Sequence, residues 1–168
     1  DIPWNDMDRQ KFQQGLKDGL PICLVYFPVS FAYGMSVVLS GMPAWAAVLI
    51  SLTNLTSAGQ FAGSSLMLAG GSYLEIAVTT VVINIRYFLM SLAMSQKTDK
   101  KMTWIQRLLV SFGITDEIFA VSMQAEGKLT ASYMAGLILT PVIGWTGGTL
   151  AGGILTSFLP TILANALN

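Results

Sequence analysis

The sequence predicts an all-α integral membrane protein, a polytopic helical bundle with broken or re-entrant helix segments, on three observations. Hydrophobic residues make up 53% of the 168 and charged residues only 11%, with a positive mean hydropathy, outside the range of soluble domains. Apolar runs approaching or exceeding the ~20 residues that a helix needs to cross a bilayer recur along the chain. Two of them are interrupted by polar residues that hydrocarbon tolerates only where something satisfies them.

Composition also excludes. Nine basic residues balance nine acidic ones, so no global field draws the chain to nucleic acid, and its surroundings are the lipid bilayer. There is no histidine and one cysteine, Cys23, which removes disulfides, histidine-ligated metals and histidine-based triads. No cofactor and no enzymatic role is expected, and Cys23 reads as a small hydrophobe in an apolar stretch. Asp116 and Glu117, adjacent on a helix, point about 100 degrees apart and do not make the facing carboxylates of a hydrolase. A channel would want rings of like charge or of carbonyls, which one arginine and one acidic pair fit less well.

Taken in order, residues 1–18 mix acids and bases and read as a cytoplasmic, surface-lying lead-in. The chain opens on Asp1, no cleavable signal is evident, and insertion is expected to use the first span as an uncleaved anchor. That span is placed at 19–40, with a kink near Pro28. The stretch 44–69 is interrupted by Thr53-Asn54-Leu55-Thr56-Ser57-Ala58-Gly59-Gln60, whose hydroxyls and amides suit an unwound or re-entrant segment facing a cavity. One long tilted helix, its polar residues turned to its neighbours, is the alternative.

Segment 74–95 carries Asn84 and Arg86 inside an apolar run. An arginine at that depth costs roughly 2.5–3.5 kcal/mol even on insertion scales and reads by default as functional. Lys97, Lys100, Lys101 and Arg107 follow and should be cytoplasmic, as should the N-terminal segment with Arg9, Lys11 and Lys17. Both can lie on one side only if 44–69 dips into the membrane and returns, which favours the re-entrant form. Further spans are expected at 104–124, with Trp104 at an interface and Asp116-Glu117 past the middle, and at 129–147 and 150–168, joined near 145–153. Through the last two, Ser132, Gly136, Thr140, Gly144, Gly148, Gly152 and Thr156 recur every fourth residue, a small-residue face for close helix packing.

Charges at mid-depth fit a transporter of a zwitterion. Arg86, with Asn84, would bind a carboxylate or pair with Asp116. Asp116 or Glu117 would bind an ammonium or carry a coupling proton, and Asn54, Thr56, Ser57 and Gln60 would add backbone and hydroxyl contacts. The alternative from another class is a non-transporting membrane scaffold in which Arg86 and Asp116 form a structural ion pair.

Four stretches carry a resemblance: Gly19-Leu-Pro-Ile-Cys-Leu-Val-Tyr-Phe-Pro-Val-Ser-Phe-Ala-Tyr-Gly34, Thr56-Ser-Ala-Gly-Gln-Phe-Ala-Gly63, Asn84-Ile-Arg-Tyr-Phe-Leu-Met-Ser91 and Gly113-Ile-Thr-Asp-Glu-Ile-Phe-Ala-Val121. In this order and spacing they resemble the AzlC family, the large subunit of bacterial branched-chain amino-acid permeases and exporters. The resemblance implies proton-coupled export of branched-chain or other hydrophobic amino acids, a small AzlD-like membrane partner subunit, and a place in the bacterial inner membrane. It covers Gln60, Asn84, Arg86, Asp116 and Glu117 in matching motifs. The chain departs from the family at Asn54-Leu55-Thr56, where phenylalanine or valine commonly precedes a Ser-Gly-Ala-type break, and at Tyr87, where a histidine often follows the arginine. Members are usually longer, so a short member, or one lacking C-terminal spans, is expected.

Overall fold

The computed structural model describes the backbone of residues 6–166 and the side chains of residues 6–158. Among the described residues the regular elements are seven helices: α1 (Asp6–Leu39), α2 (Ala44–Thr53), α3 (Ser57–Leu68), α4 (Tyr73–Lys97), α5 (Trp104–Phe112), α6 (Asp116–Gln124) and α7 (Ala131–Ala166). Three of these, α1, α4 and α7, are long and apolar enough to cross a membrane. The four short helices form two pairs, each interrupted by three residues.

Local chemistry places the ends. Gly41 and Gly70 take positive φ just past α1 and α3, the left-handed conformation in which glycine terminates helices without strain. Pro43 precedes α2. Thr56, Thr103 and Thr115 cap α3, α5 and α6, each hydroxyl accepting from a backbone N–H three residues on, which satisfies donors that a helix start leaves open. At α5 the cap is reciprocal, Gln106 accepting from the Thr103 N–H.

The chain divides into two compact units. The first comprises Asp1–Leu24 and Ile85–Ile143, the second Val25–Asn84 and Gly144–Asn168. Each contains part of α1, part of α4, part of α7 and one of the broken pairs.

In the first unit, α1 and α7 run side by side in parallel. A side chain at Gly15 would collide with the Tyr133 and Leu137 backbone, and one at Gly136 with the Phe12 and Leu16 backbone. Ser132 donates to Asp8 (3.0 Å), Thr140 to the Leu16 carbonyl (3.3 Å) and Tyr133 to Asp18 (2.9 Å). The α5–α6 pair is a hairpin. The far end of α6 returns to the end of α4, where the Lys97 ammonium donates to the carbonyls of Ser122, Met123 and Ala125, and Leu129 pairs with Lys97 and Asp99 through the backbone.

In the second unit the same two helices continue in contact, Gly34 against Thr149, Gly148 against Phe27 and Ser30, and Gly152 against Phe31. Here α2 and α3 form the hairpin. Ala44 lies by Gly153, Ser51 bonds Thr149 farther down α7 (2.7 Å), and α3 climbs back so that Ser64 bonds Tyr33 (2.6 Å). Gly59 then lies by Asn84 and Gly63 by Thr80, so α3 is antiparallel to this part of α4.

Three expectations need correction. The chain expected as two segments, 129–147 and 150–168, joined near 145–153, is one helix through Ala166. Gly148 and Gly152, one from each glycine pair, mark closeness to α1 and not a break, because without side chains they admit the neighbouring backbone. The span expected at 104–124 is two helices of nine residues each, since Gly113 and the capping Thr115 end one helix and begin another. The lead-in expected at 1–18 is, over its described residues, the first part of α1.

The glycines of α7 predict a contrast. Gly152→Ala should cost about 1–3 kcal/mol in overpacking, since its new methyl meets the Phe31 carbonyl. Gly147→Ala, with open space around it, should be neutral or gain up to about 1 kcal/mol of helix propensity. Unfolding of both variants in detergent micelles checks this.

Candidate functional site

The expected residues fall into two groups, one in each unit. In the first unit, Arg86 is the fourteenth of the 25 residues of α4, far from either end of an apolar helix. Its guanidinium is 3.0 Å from the Asp116 carboxylate. Asp116 and Glu117 occupy the first turn of α6, where the positive end of the helix dipole favours carboxylates. They therefore begin a helix, where the sequence had suggested the interior of a span. The phenol of Tyr87 accepts from Arg86 at 3.4 Å, and the guanidinium lies 5.1 Å from the centre of its ring, within cation–π range.

Despite these partners the ion pair is open, with Arg86 49% and Asp116 45% exposed. Around it, Ile85, Phe88 and Leu89 on α4 are exposed apolar side chains. Charged groups on such a surface are stable only where water, a substrate or another polar partner reaches them. The arrangement offers a planar donor for a carboxylate, two acids for a cation, and an aromatic hydroxyl.

In the second unit, Asn54 and Thr56 make the α2–α3 turn. The Asn54 side chain accepts from the Thr56 N–H (3.3 Å) and Thr56 caps α3. Ser57, the first residue of α3, is exposed. Asn84 lies so close that a side chain at Gly59 would meet both its amide atoms and the Thr56 hydroxyl. The Asn84 Oδ1 is buried and accepts no hydrogen bond. First-turn N–H groups of a helix have no intrahelical acceptor, so this turn can offer donors to an anion.

Gln60 is placed differently. It is 1% exposed and fully paired, its amide donating to Ser51 (2.6 Å) and its carbonyl accepting from the Trp145 indole (3.0 Å). Ser51 bonds Thr149, and Thr149 donates to the Trp145 carbonyl (3.1 Å). The result is a closed polar ring tying α2 and α3 to α7, with Tyr26 packed edge-on against Trp145. Sequence reasoning missed Ser51, Trp145 and Thr149, and also Lys97 as the clamp on α6, because each partner lies many residues away. One signal was available: a tryptophan inside an apolar helix needs an acceptor for its N–H.

Among the described residues no group of His, Cys, Asp and Glu is placed to hold a metal ion. The family model for the AzlC protein matches residues 21–159. The chain is 28% identical over 152 residues to the inner membrane protein YgaZ of Escherichia coli, covering 88% of this chain and 62% of that protein. It is 33% identical over 149 residues to an uncharacterized membrane protein of Archaeoglobus fulgidus, covering 88% of this chain and 64% of that one. The chain thus spans less than two thirds of the length of these two relatives. No solved structure matches.

The closed ring predicts a specific cost. Trp145→Phe preserves the aromatic contact but leaves the buried Gln60 carbonyl without its donor, and should lower stability by about 1–3 kcal/mol. Chemical unfolding in detergent measures it, with Gln60→Leu in the same background recovering part of the loss.

Proposed function

Because the chain belongs to the AzlC family, we propose that it moves branched-chain or other hydrophobic amino acids across the bacterial inner membrane, outward and coupled to protons, together with a small AzlD-like membrane subunit. The observation that carries this reading is the half-exposed pair between Arg86, in the middle of an apolar helix, and Asp116, at the start of α6. A zwitterion can replace that one ion pair with two, its carboxylate on Arg86 and its ammonium on Asp116 or Glu117. The acids at the start of α6 also supply a proton carrier beside the arginine. In the second unit, taken by itself, Ser57, Thr56, Asn54 and Asn84 form another polar set, of the kind that broken helices provide in transporters. Gln60 supports the α2–α3 turn from behind through its buried bonds.

A second reading is favoured by one observation: α6 is held to α4 at both ends, by Arg86 at its start and by Lys97 at its finish. In that reading the pair serves assembly and the chain is a membrane scaffold. The two separate cleanly by experiment. Leucine efflux from loaded cells should exceed the empty vector when the chain and its small subunit are expressed together, and Arg86→Ala should fall to the vector rate with normal insertion. Equal efflux from wild type and vector would sink the transport reading. Under the scaffold reading, Arg86→Met combined with Asp116→Leu keeps function and assembly intact.

The same proposal puts the N-terminus and the 97–107 loop in the cytoplasm, with α2–α3 entering from the far side. In a Cys23→Ser background, cysteines at Gly71 and Thr98 should then label from opposite faces, Thr98→Cys from the cytoplasmic one. Labelling of Thr98→Cys from outside would reverse the topology.

A further inference from the structure

Beside the end of α4, in the first unit, lies a cleft of about 350 Å³ that the transport reading does not use. One wall is α4 (Ser91, Met94, Ser95) and the other α5 (Leu108, Ser111), with Ile114 and Met102 also lining it. Met94, Met102 and Ile114 are buried. Most of the hydroxyls along the walls are already engaged: Ser95 donates to the Leu92 carbonyl, Thr98 to that of Met94 and Ser111 to that of Leu108. The cleft therefore presents mainly hydrocarbon, and its volume lies near the lower end of the ~300–1,000 Å³ range of ligand pockets.

Its lining also includes a cation. Arg107 is tied down through two bonds to backbone carbonyls, Nε to Met102 and one Nη to Asp99, which leaves part of the guanidinium fork facing outward. Lys100 and Lys101 are exposed in the segment joining α4 to α5. The one acid in that segment, Asp99, accepts from the Lys101 backbone N–H. Trp104, which also lines the cleft, is 73% exposed, as befits a side chain at the membrane interface. The ammonium groups of Lys97 and Lys128 are turned to backbone carbonyls of Met123 and Gln96.

An aliphatic cleft with a fixed arginine in its lining and two exposed lysines on the adjoining segment matches an amphiphile with an anionic head. We propose that this cleft binds an anionic phospholipid of the surrounding bilayer, an acyl chain lying between α4 and α5 and the phosphate meeting Arg107 with Lys100 and Lys101. The lipid rests against α5, the arm that leads into the turn before Asp116. The proposal depends on α4 spanning the membrane and not on what the Arg86 group transports.

The test uses the full chain, purified in detergent and titrated with phosphatidylglycerol or with phosphatidylcholine of the same acyl chains, read by native mass spectrometry and by the thermal unfolding midpoint. Phosphatidylglycerol should bind saturably, about tenfold tighter than phosphatidylcholine, and raise the midpoint. Replacing Arg107, Lys100 and Lys101 together by glutamine should abolish that preference. Filling the cleft through Ser95→Leu with Ser111→Phe, both at exposed positions, should abolish saturable binding while leaving every charge in place. Each single substitution gives the same reading if the pair lowers yield. Equal binding of the two lipids overturns the proposal. So does undiminished phosphatidylglycerol binding by the filled variants, which would mean surface charge alone, or an equal midpoint rise from glycerol 3-phosphate, which would mean a free-phosphate site.

Discussion

A helix that stops within an apolar medium exposes backbone donors at one end and acceptors at the other, and no water is there to take them. The donors at the two internal helix starts of this protein are met from within the chain. Each second arm begins on a threonine whose hydroxyl takes an N–H, and each capping threonine follows a buried aliphatic residue, Leu55 or Ile114. The two turns solve one problem with the same short sequence, an aliphatic residue and then threonine. Their other ends differ. The finish of α3 is closed by Gly70 and backbone bonds, whereas the finish of α6 draws on the ammonium of another helix.

Satisfying backbone groups in this way separates the polar side chains into two kinds. Those of the ring formed by Gln60, Ser51, Thr149 and Trp145 are buried with their partners close at hand, so the ring fixes where α2 and α3 turn against α7 and offers nothing to a visitor. Arg86 and Asp116 have partners and remain half open. Asn84 is intermediate, its amide pressed against Gly59 with one buried oxygen unpaired. Openness combined with charge, not polarity alone, marks out the Arg86 group. Gln60, although it shares the family motif, belongs with the supporting frame.

Much of this was legible in the sequence because membrane burial leaves strong signals. Apolar length identified the long helices α1 and α4, the polar run 53–60 identified one break, and four-residue spacing of small residues identified the face of α7 that packs on α1. The second break was harder to see, since Gly113-Ile114-Thr115 is short and barely polar. Thr115 followed by two acids is nevertheless a helix-start signature. The glycine pairs of α7 misled because glycine weakens an isolated helix yet permits contact in a packed one, and only the position of α1 decides which effect prevails. Lys97 looked like any cation near a membrane surface. Its acceptors lie 25 to 28 residues later, beyond the reach of local pattern.

The clamp at Lys97 has a mechanical side. Three carbonyls on one ammonium hold the finish of α6 against the end of α4, while at its start Asp116 reaches the middle of the same helix through Arg86. A nine-residue helix is about 13 Å long, so both attachments of α6 to α4 sit on one short arm. Tilting it by about 10 degrees at that length moves the tip by about 2 Å, comparable to the margin of a hydrogen-bonded contact. A tilt of that size is thus enough to part Asp116 from Arg86.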